Sequence, residues 1–302
     1  MTAGQAFSNT ISPVMPAATM IDLPNPEGSA RDLAPARPDN SRGCVELLGG
    51  NELRTDAVVL PGLELLLIAR PAGSPAGGDL YCLHSCGGHT LAKIVLLDIS
   101  GHGQRSALVA HAIHPLLHRF SRETEPGRFL DLVNRQFAEF SPHGFLATSL
   151  CAVYDSRRGE LRYANGGQPR ILIWQATNRH WTTLMPAQQS DCGLPLGVTA
   201  TACYEEESVL LHPGDMLLVF SDGVIETRNA AGEFLGPGGV ERLAQDCTDE
   251  TGAASPLAAL GRAFLRRLEQ CRGGLDFQDN ITLLWARPLP AERLAGASAE
   301  PG

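Results

Sequence analysis

The chain has 302 residues, 43% of them hydrophobic, enough to bury a full-sized core and close to the upper limit of one domain. Its 33 acidic and 24 basic residues leave a net charge of −9, which argues against a nucleic acid or an anionic membrane surface as the main partner. An acidic protein still binds phosphate where metal ions supply the positive charge.

The longest apolar stretch, 57–69, is interrupted by Pro61, Gly62 and Glu64 and falls short of the roughly 20 apolar residues of a spanning helix. The first residues, MTAGQAFSNT, lack a basic segment followed by an apolar run. The expectation is a cytoplasmic protein. Eight cysteines, at 44, 82, 86, 151, 192, 203, 247 and 271, follow no framework spacing and read as reduced thiols.

Residues 1–53 are rich in Pro, Ala, Asn, Ser and Asp without a period of 2 or 3.6, and read as a flexible arm. From 54 to 287 short β-rich runs alternate with two pairs of helical segments, as in one α/β-type domain, and 288–302 reads as a flexible tail. The first strands are expected at 63–69, 79–83 and 92–97. Between the last two, CLHSCGGH offers Cys82, His84, Cys86 and His89, ligand types that suit zinc without its usual spacing, against a strand face and a hairpin turn at Gly87-Gly88.

Helices follow at 104–120 and 127–140, with apolar residues three and four apart. In the first, His111, His114 and His118 share one face; His114 and His118 have a metal-binding spacing, but no acid or cysteine joins them, and the face reads as exposed or interfacial. Pro115 stands ready to kink this helix. Further strands are expected at 145–154, 160–164, 170–174, 204–211 and 216–221, helices at 239–246 and 256–270, and a last strand at 281–286. The short links 155–159 and 165–169 read as antiparallel hairpins. This order favours an α+β layered sandwich, with helices on the outer faces of antiparallel sheets, over a doubly wound parallel sheet.

Four aspartates stand at strand ends. Asp98 closes the apolar run Lys93-Ile94-Val95-Leu96-Leu97 and runs into Ile99-Ser100-Gly101-His102-Gly103. Asp222 closes Met216 to Ser221 in the same way and meets Gly223, Asp79 follows Gly77-Gly78, and Asp279 precedes Asn280 and the run Ile281-Thr282-Leu283-Leu284. A single Asp-Gly pair is most often a turn, and Asp215 in His212-Pro213-Gly214-Asp215 is left to its turn. Four such acids massed beside apolar strands would repel one another unless a cation compensated them. Oxygen-only ligands favour Mg²⁺ or Mn²⁺, and two such ions about 3.5–4 Å apart would activate a water for in-line attack on a phosphoryl group.

Gly77-Gly78-Asp79-Leu80-Tyr81, Asp98-Ile99-Ser100-Gly101-His102-Gly103, Ser221-Asp222-Gly223-Val224-Ile225-Glu226 and Asp279-Asn280-Ile281-Thr282 together resemble the PPM (type 2C) phosphatases, more narrowly their bacterial SpoIIE or RsbU branch. The resemblance covers about 59–287 and implies an αββα four-layer sandwich with a dimetal site at one edge. It implies that Asp98 bridges both ions, that Asp222 and Asp279 complete one site, and that Asp79 with the main-chain carbonyl of Ile99 serves the other. It also implies a phosphoserine or phosphothreonine protein as substrate, with a STAS-domain anti-sigma-factor antagonist in a partner-switching pathway as the expected target.

Where the animal and plant branch has a histidine beside the bridging aspartate, this chain has Ser100; His102, two residues on, is a candidate acid for the leaving oxygen. Gln168 replaces the histidine of the Asn-Ala-Gly-His-Pro loop common in relatives, and Cys82 replaces an acid. The arm is too short for a sensory domain, so a regulatory partner protein or metal availability is expected to exert control. Two other readings compete with the enzyme: a catalytically silent pseudophosphatase that binds a partner, and a two-metal nuclease, which the absence of a basic patch disfavours.

Overall fold

The computed structural model describes residues 46–50, 52–72, 78–86, 90–101, 104–140, 144–184 and 193–290, which belong to one compact unit. Twelve strands form two six-stranded sheets among the described residues. The first sheet contains β1 (Glu46–Gly49), β4 (Asp79–Cys86), β5 (Leu91–Ile99), β6 (Ala147–Asp155), β7 (Glu160–Gly166) and β10 (Glu207–Leu210), in the order β1-β4-β5-β6-β7-β10. The second contains β2 (Arg54–Leu60), β3 (Leu63–Arg70), β8 (Leu172–Gln175), β9 (His180–Thr183), β11 (Met216–Phe220) and β12 (Ile281–Pro288), in the order β2-β3-β12-β11-β8-β9. Every paired strand runs antiparallel to its neighbours.

Strand periodicity sorts the core into three layers. Ile94 and Leu96 on β5, Leu150 on β6, Leu65 and Leu67 on β3, and Val219 on β11 fill the space between the sheets. The opposite face of the first sheet, with Val95, Leu97 and Cys151, packs on Ile113 and Leu117 of α1 (Gln104–Arg119) and on Leu130 and Phe137 of α2 (Pro126–Phe140). The outer face of the second sheet takes Val240 and Leu243 of α4 (Gly236–Thr251) and Leu260 and Phe264 of α5 (Leu257–Cys271). Trp181 lies edge-on to Trp285 with centroids 5.4 Å apart, and Phe264 edge-on to Trp285 at 5.8 Å, a geometry that suits the ring quadrupoles. The result is the expected α+β sandwich of helices, two antiparallel sheets and helices.

Helix α1 is continuous through Pro115, and His111, His114 and His118 are exposed along it. Lys93 is buried; its Nζ donates to the Ser121 carbonyl at 2.6 Å and sits 4.6 Å from the Phe129 ring centroid, tying the α1–α2 turn to β5. Burial, with Lys93 beside it, pushes His84 down to about 4. Cys82 packs into the helix-side core, while His89 and the Cys86 side chain lie outside the described residues.

One link departs from expectation. The link 155–159 is a hairpin between β6 and β7, but 165–169 carries the chain from β7 in the first sheet to β8 in the second. Its Gly-Gln-Pro chemistry fits a tight bend, and a crossover between facing sheets needs the same bend as a hairpin. The strand β1 lies within the stretch read as the arm, and residues 1–45 and 291–302 lie outside the described residues.

Candidate metal centre

The acids arrive in two pairs, one from each sheet. On the first sheet Asp79 opens β4 directly opposite Asp98 near the end of β5, so both side chains share the face that Leu96 and Ile94 present to the second sheet. On the second sheet β11 and β12 are adjacent, with Phe220 opposite Leu283. Asp222 opens the one-turn helix α3 (Asp222–Ile225) just past the end of β11, and Asp279 stands just before the start of β12. Two neighbouring strand ends of each sheet therefore meet at one edge of the sandwich.

Glycines permit the closeness. A Cβ on Gly78 would run into the Ile99 carbonyl oxygen and lie 2.9 Å from Asp98 Oδ1, and a Cβ on Gly223 would run into the Asn280 carbonyl. The Ile99 amide donates to the Gly78 carbonyl at 3.2 Å, which closes the margin between β4 and β5 around the first pair of acids. Between the sheets, Thr282 Oγ1 donates to Asp79 Oδ2 at 2.5 Å, while the nearby Ser221 hydroxyl donates to the Asn280 carbonyl at 3.2 Å.

Burial and mutual repulsion perturb the carboxyls. Asp79, 2% exposed, is pushed up to about 7, first by desolvation and then by Asp222 and Asp279, against the stabilising hydrogen bond from Thr282 and the nearby Ser221 hydroxyl. Asp98 is pushed up to about 9 by desolvation, by the charges of the other three aspartates and by its contact with Asp222. Asp222 is raised to about 6 by desolvation, with Asp279 and Glu226 adding to it. The second oxygen, Asp222 Oδ1, is buried without a hydrogen-bond partner.

The structure thus brings together all four predicted aspartates, with the Ile99 carbonyl at the margin of β4 and β5, while His102 lies outside the described residues. As the side chains stand, no three His, Cys, Asp or Glu groups among the described residues converge closely enough to hold one ion. Asp98 and Asp222 lie beside each other, and Asp79 is turned to Thr282. A cation-sized demand nevertheless exists: a partnerless buried carboxylate oxygen, a carboxyl beside it pushed well above the usual range by burial and the neighbouring acids, and an oxygen-only donor set that suits a hard divalent ion. The residues fit a hard divalent cation.

Sequence reading missed the hydroxyls of Thr282 and Ser221, because their role requires knowing which strands face each other. It also missed a cavity of about 310 Å³ that shares Asp222 with the acid cluster. Gln168 and Arg170 of the crossover line it, with Leu172, Phe220 and Ile225.

The profile of the family described as Stage II sporulation protein E (SpoIIE) matches residues 88–288, two-thirds of the chain. The chain belongs to the SpoIIE family. Asp98, Asp222 and Asp279 fall within the matched residues, and Asp79 stands just outside them. Protein IcfG of Synechocystis sp. is 25% identical over 273 residues, covering 80% of this chain and 41% of that protein. Phosphoserine phosphatase RsbP of Bacillus subtilis is 28% identical over 160 residues, covering 51% of this chain and 38% of that protein. The chain therefore spans about two-fifths of the length of these curated relatives. Among solved structures, the RsbU and RsbW domains of Rv1364c from Mycobacterium tuberculosis superpose with a TM-score of 0.63 at 23% identity, over 82% of this chain and 70% of that one, a likeness of fold. Among the described residues no helix is long and apolar enough to cross a membrane.

Proposed function

We propose that this SpoIIE-family chain is a phosphoprotein phosphatase that hydrolyses phosphoserine or phosphothreonine with the help of two divalent cations. The observation that carries the reading is the meeting of four acids from two sheets at one edge, where burial first and neighbouring acids second raise the carboxyls of Asp79, Asp98 and Asp222. When bound, Mg²⁺ or Mn²⁺ would supply the positive charge that a phosphoryl group needs and a water activated for attack. Asp98 would hold both ions, Asp222 and Asp279 one of them, and Asp79 with the Ile99 carbonyl the other. Thr282 would keep Asp79 ionised and oriented by donating to it, with the Ser221 hydroxyl nearby favouring the same charged form. His102 is proposed as the proton donor to the leaving oxygen.

The names of the relatives support the substrate class: RsbP and RsbU of Bacillus subtilis are both phosphoserine phosphatases. For this chain we carry over a phosphorylated STAS-domain anti-sigma-factor antagonist as substrate, met in the cytoplasm, with a regulatory partner protein as the source of control. Hydrolysis of p-nitrophenyl phosphate with and without Mn²⁺ tests the activity. Metal-dependent turnover lost in Asp98→Asn and Asp222→Asn supports it. No turnover on this ester or on a phosphoprotein, together with capture of an unphosphorylated STAS-type protein, would favour the silent binding module instead.

A further inference from the structure

We infer that Thr148 is a positioning residue for the Asp98 carboxylate in the metal-loaded site. This rests on the metal-dependent reading above and adds to it a residue that belongs to no aspartate motif. The register of β5 against β6 sets Thr148 directly opposite Asp98, so the two side chains project from the same face of the sheet. With Asp79 opposite Asp98 on the other side, Asp79, Asp98 and Thr148 form one row across three adjacent strands at the site edge. Directly opposed side chains have Cβ atoms about 4.5–5.5 Å apart, within reach of a hydroxyl-to-carboxylate hydrogen bond.

The Thr148 hydroxyl is shut off from water and has no hydrogen-bond partner. A buried polar group left in that state needs a reason. On the far side of Thr148 the crossover passes at Gly167, where a Cβ would lie 3.4 Å from the threonine methyl, and a glycine offers no side-chain acceptor. The acceptor that the register supplies is Asp98. In the structure the threonine hydroxyl does not reach Asp98 and is left over. A carboxylate ligated to a cation is acceptor-only, and a hydroxyl rotates freely to suit. Metal-ligating carboxylates are themselves held by such outer hydrogen bonds, whose loss commonly weakens metal binding about 10–100-fold.

The neighbouring Ser149 provides a built-in comparison. Its Oγ is equally buried and partnerless, but the side chain lies on the helix-facing side of the sheet, opposite Leu97 and against Gly166.

The full chain carrying Thr148→Val, Thr148→Ser or Ser149→Ala is titrated with Mn²⁺ by calorimetry, and melting temperatures are taken with and without Mn²⁺. Thr148→Val is expected to weaken Mn²⁺ binding about tenfold or more and to shrink the Mn²⁺-induced rise in melting temperature. Its metal-free melting temperature should be unchanged or higher, since the methyl that replaces the hydroxyl needs no partner. Thr148→Ser and Ser149→Ala should bind Mn²⁺ within about twofold of the wild type. A threonine that merely fills space would give the reverse pattern: a lower metal-free melting temperature with unaltered Mn²⁺ affinity. That result overturns the inference, as does equal weakening by Ser149→Ala. Failure of the wild type to bind Mn²⁺ at all would bring down the metal-dependent reading itself, and this inference with it.

Discussion

Replacing Asp98 by asparagine should stabilise the metal-free protein at pH 8 while abolishing its response to Mn²⁺. The folded protein raises the Asp98 carboxyl from 3.8 to about 9, so at pH 8 it retains a proton there that the unfolded chain releases. Between those two values the folded state binds more protons than the unfolded one. Stability is therefore full below pH 3.8 and is lost as pH climbs toward 9. At 1.36 kcal/mol per pH unit the full cost at pH 8 would be about 6 kcal/mol; coupling to the neighbouring carboxyls and partial exposure reduce it to roughly 2–3 kcal/mol. Asparagine keeps the shape and donates to Asp222 at every pH, which removes that cost. For a domain of this size, where about 1 kcal/mol moves the transition by 2–4 °C, the gain is roughly 5–10 °C. Differential scanning calorimetry with a chelator at pH 5 and pH 8 would show a gain that is small at the lower pH and large at the higher. With Mn²⁺ the wild type should climb and Asp98→Asn should not. An Asp98→Asn protein that melts lower than wild type at pH 8 without metal, or that still gains from Mn²⁺, would refute the account of the site as a repulsive cluster awaiting cations.

The half-saturating Mn²⁺ concentration should fall as pH rises from 5 to 8, because Asp79 and Asp222, raised to about 7 and about 6, must lose protons to ligate; pH-independent binding in calorimetry would contradict this. Asp79→Asn should reduce the number of bound Mn²⁺ ions from about two to about one, read as calorimetric stoichiometry, while Asp222→Asn should damage the other position. Gly223→Ala should cost about 1–3 kcal/mol in denaturant unfolding and weaken Mn²⁺ binding, since the added methyl pushes on the Asn280 carbonyl beside Asp279. Asp215→Ala serves as a contrast. This buried acid accepts from the Ala176 and His212 amides at 2.9 and 2.8 Å, so its loss should cost about 2–3 kcal/mol and leave Mn²⁺ affinity unaltered.

What could be read from the residues followed how strongly each element is buried. The strand β5, buried on both faces, shows as an unbroken apolar run, and its terminal acid stands out against it. Edge strands carry no such mark. In β2 the sequence RTDAVVL alternates between exposed and half-buried, and β1 and β9 are four residues each, so most of what makes them strands is their pairing with distant partners. The crossover at 165–169 was misread for a related reason, because turn chemistry specifies a bend and not which sheet receives the next strand. The acids were legible as a set, since each sits where an apolar run meets a turn, near glycines for Asp79, Asp98 and Asp222 and beside Asn280 for Asp279. The hydroxyls that serve them were not: Thr282 reaches Asp79 across 203 positions of sequence, and Thr148 becomes a neighbour of Asp98 only through strand register.

The division of the acids between sheets has an energetic consequence. Most of the space between the sheets is filled by side chains such as Leu67, Leu96 and Leu150, whose burial holds the layers together without direction. At the site edge that filling gives way to carboxylates, and the sheets are joined there by the hydrogen bond of Thr282 to Asp79, working against the repulsion of four acids. In the proposed site a cation bridging Asp98 from the first sheet to Asp222 and Asp279 from the second would replace that repulsion with a cross-sheet bond. Metal binding and closure of this edge would then be one linked equilibrium, in which each tenfold excess of free ion over its dissociation constant adds about 1.4 kcal/mol to the stability of the folded chain.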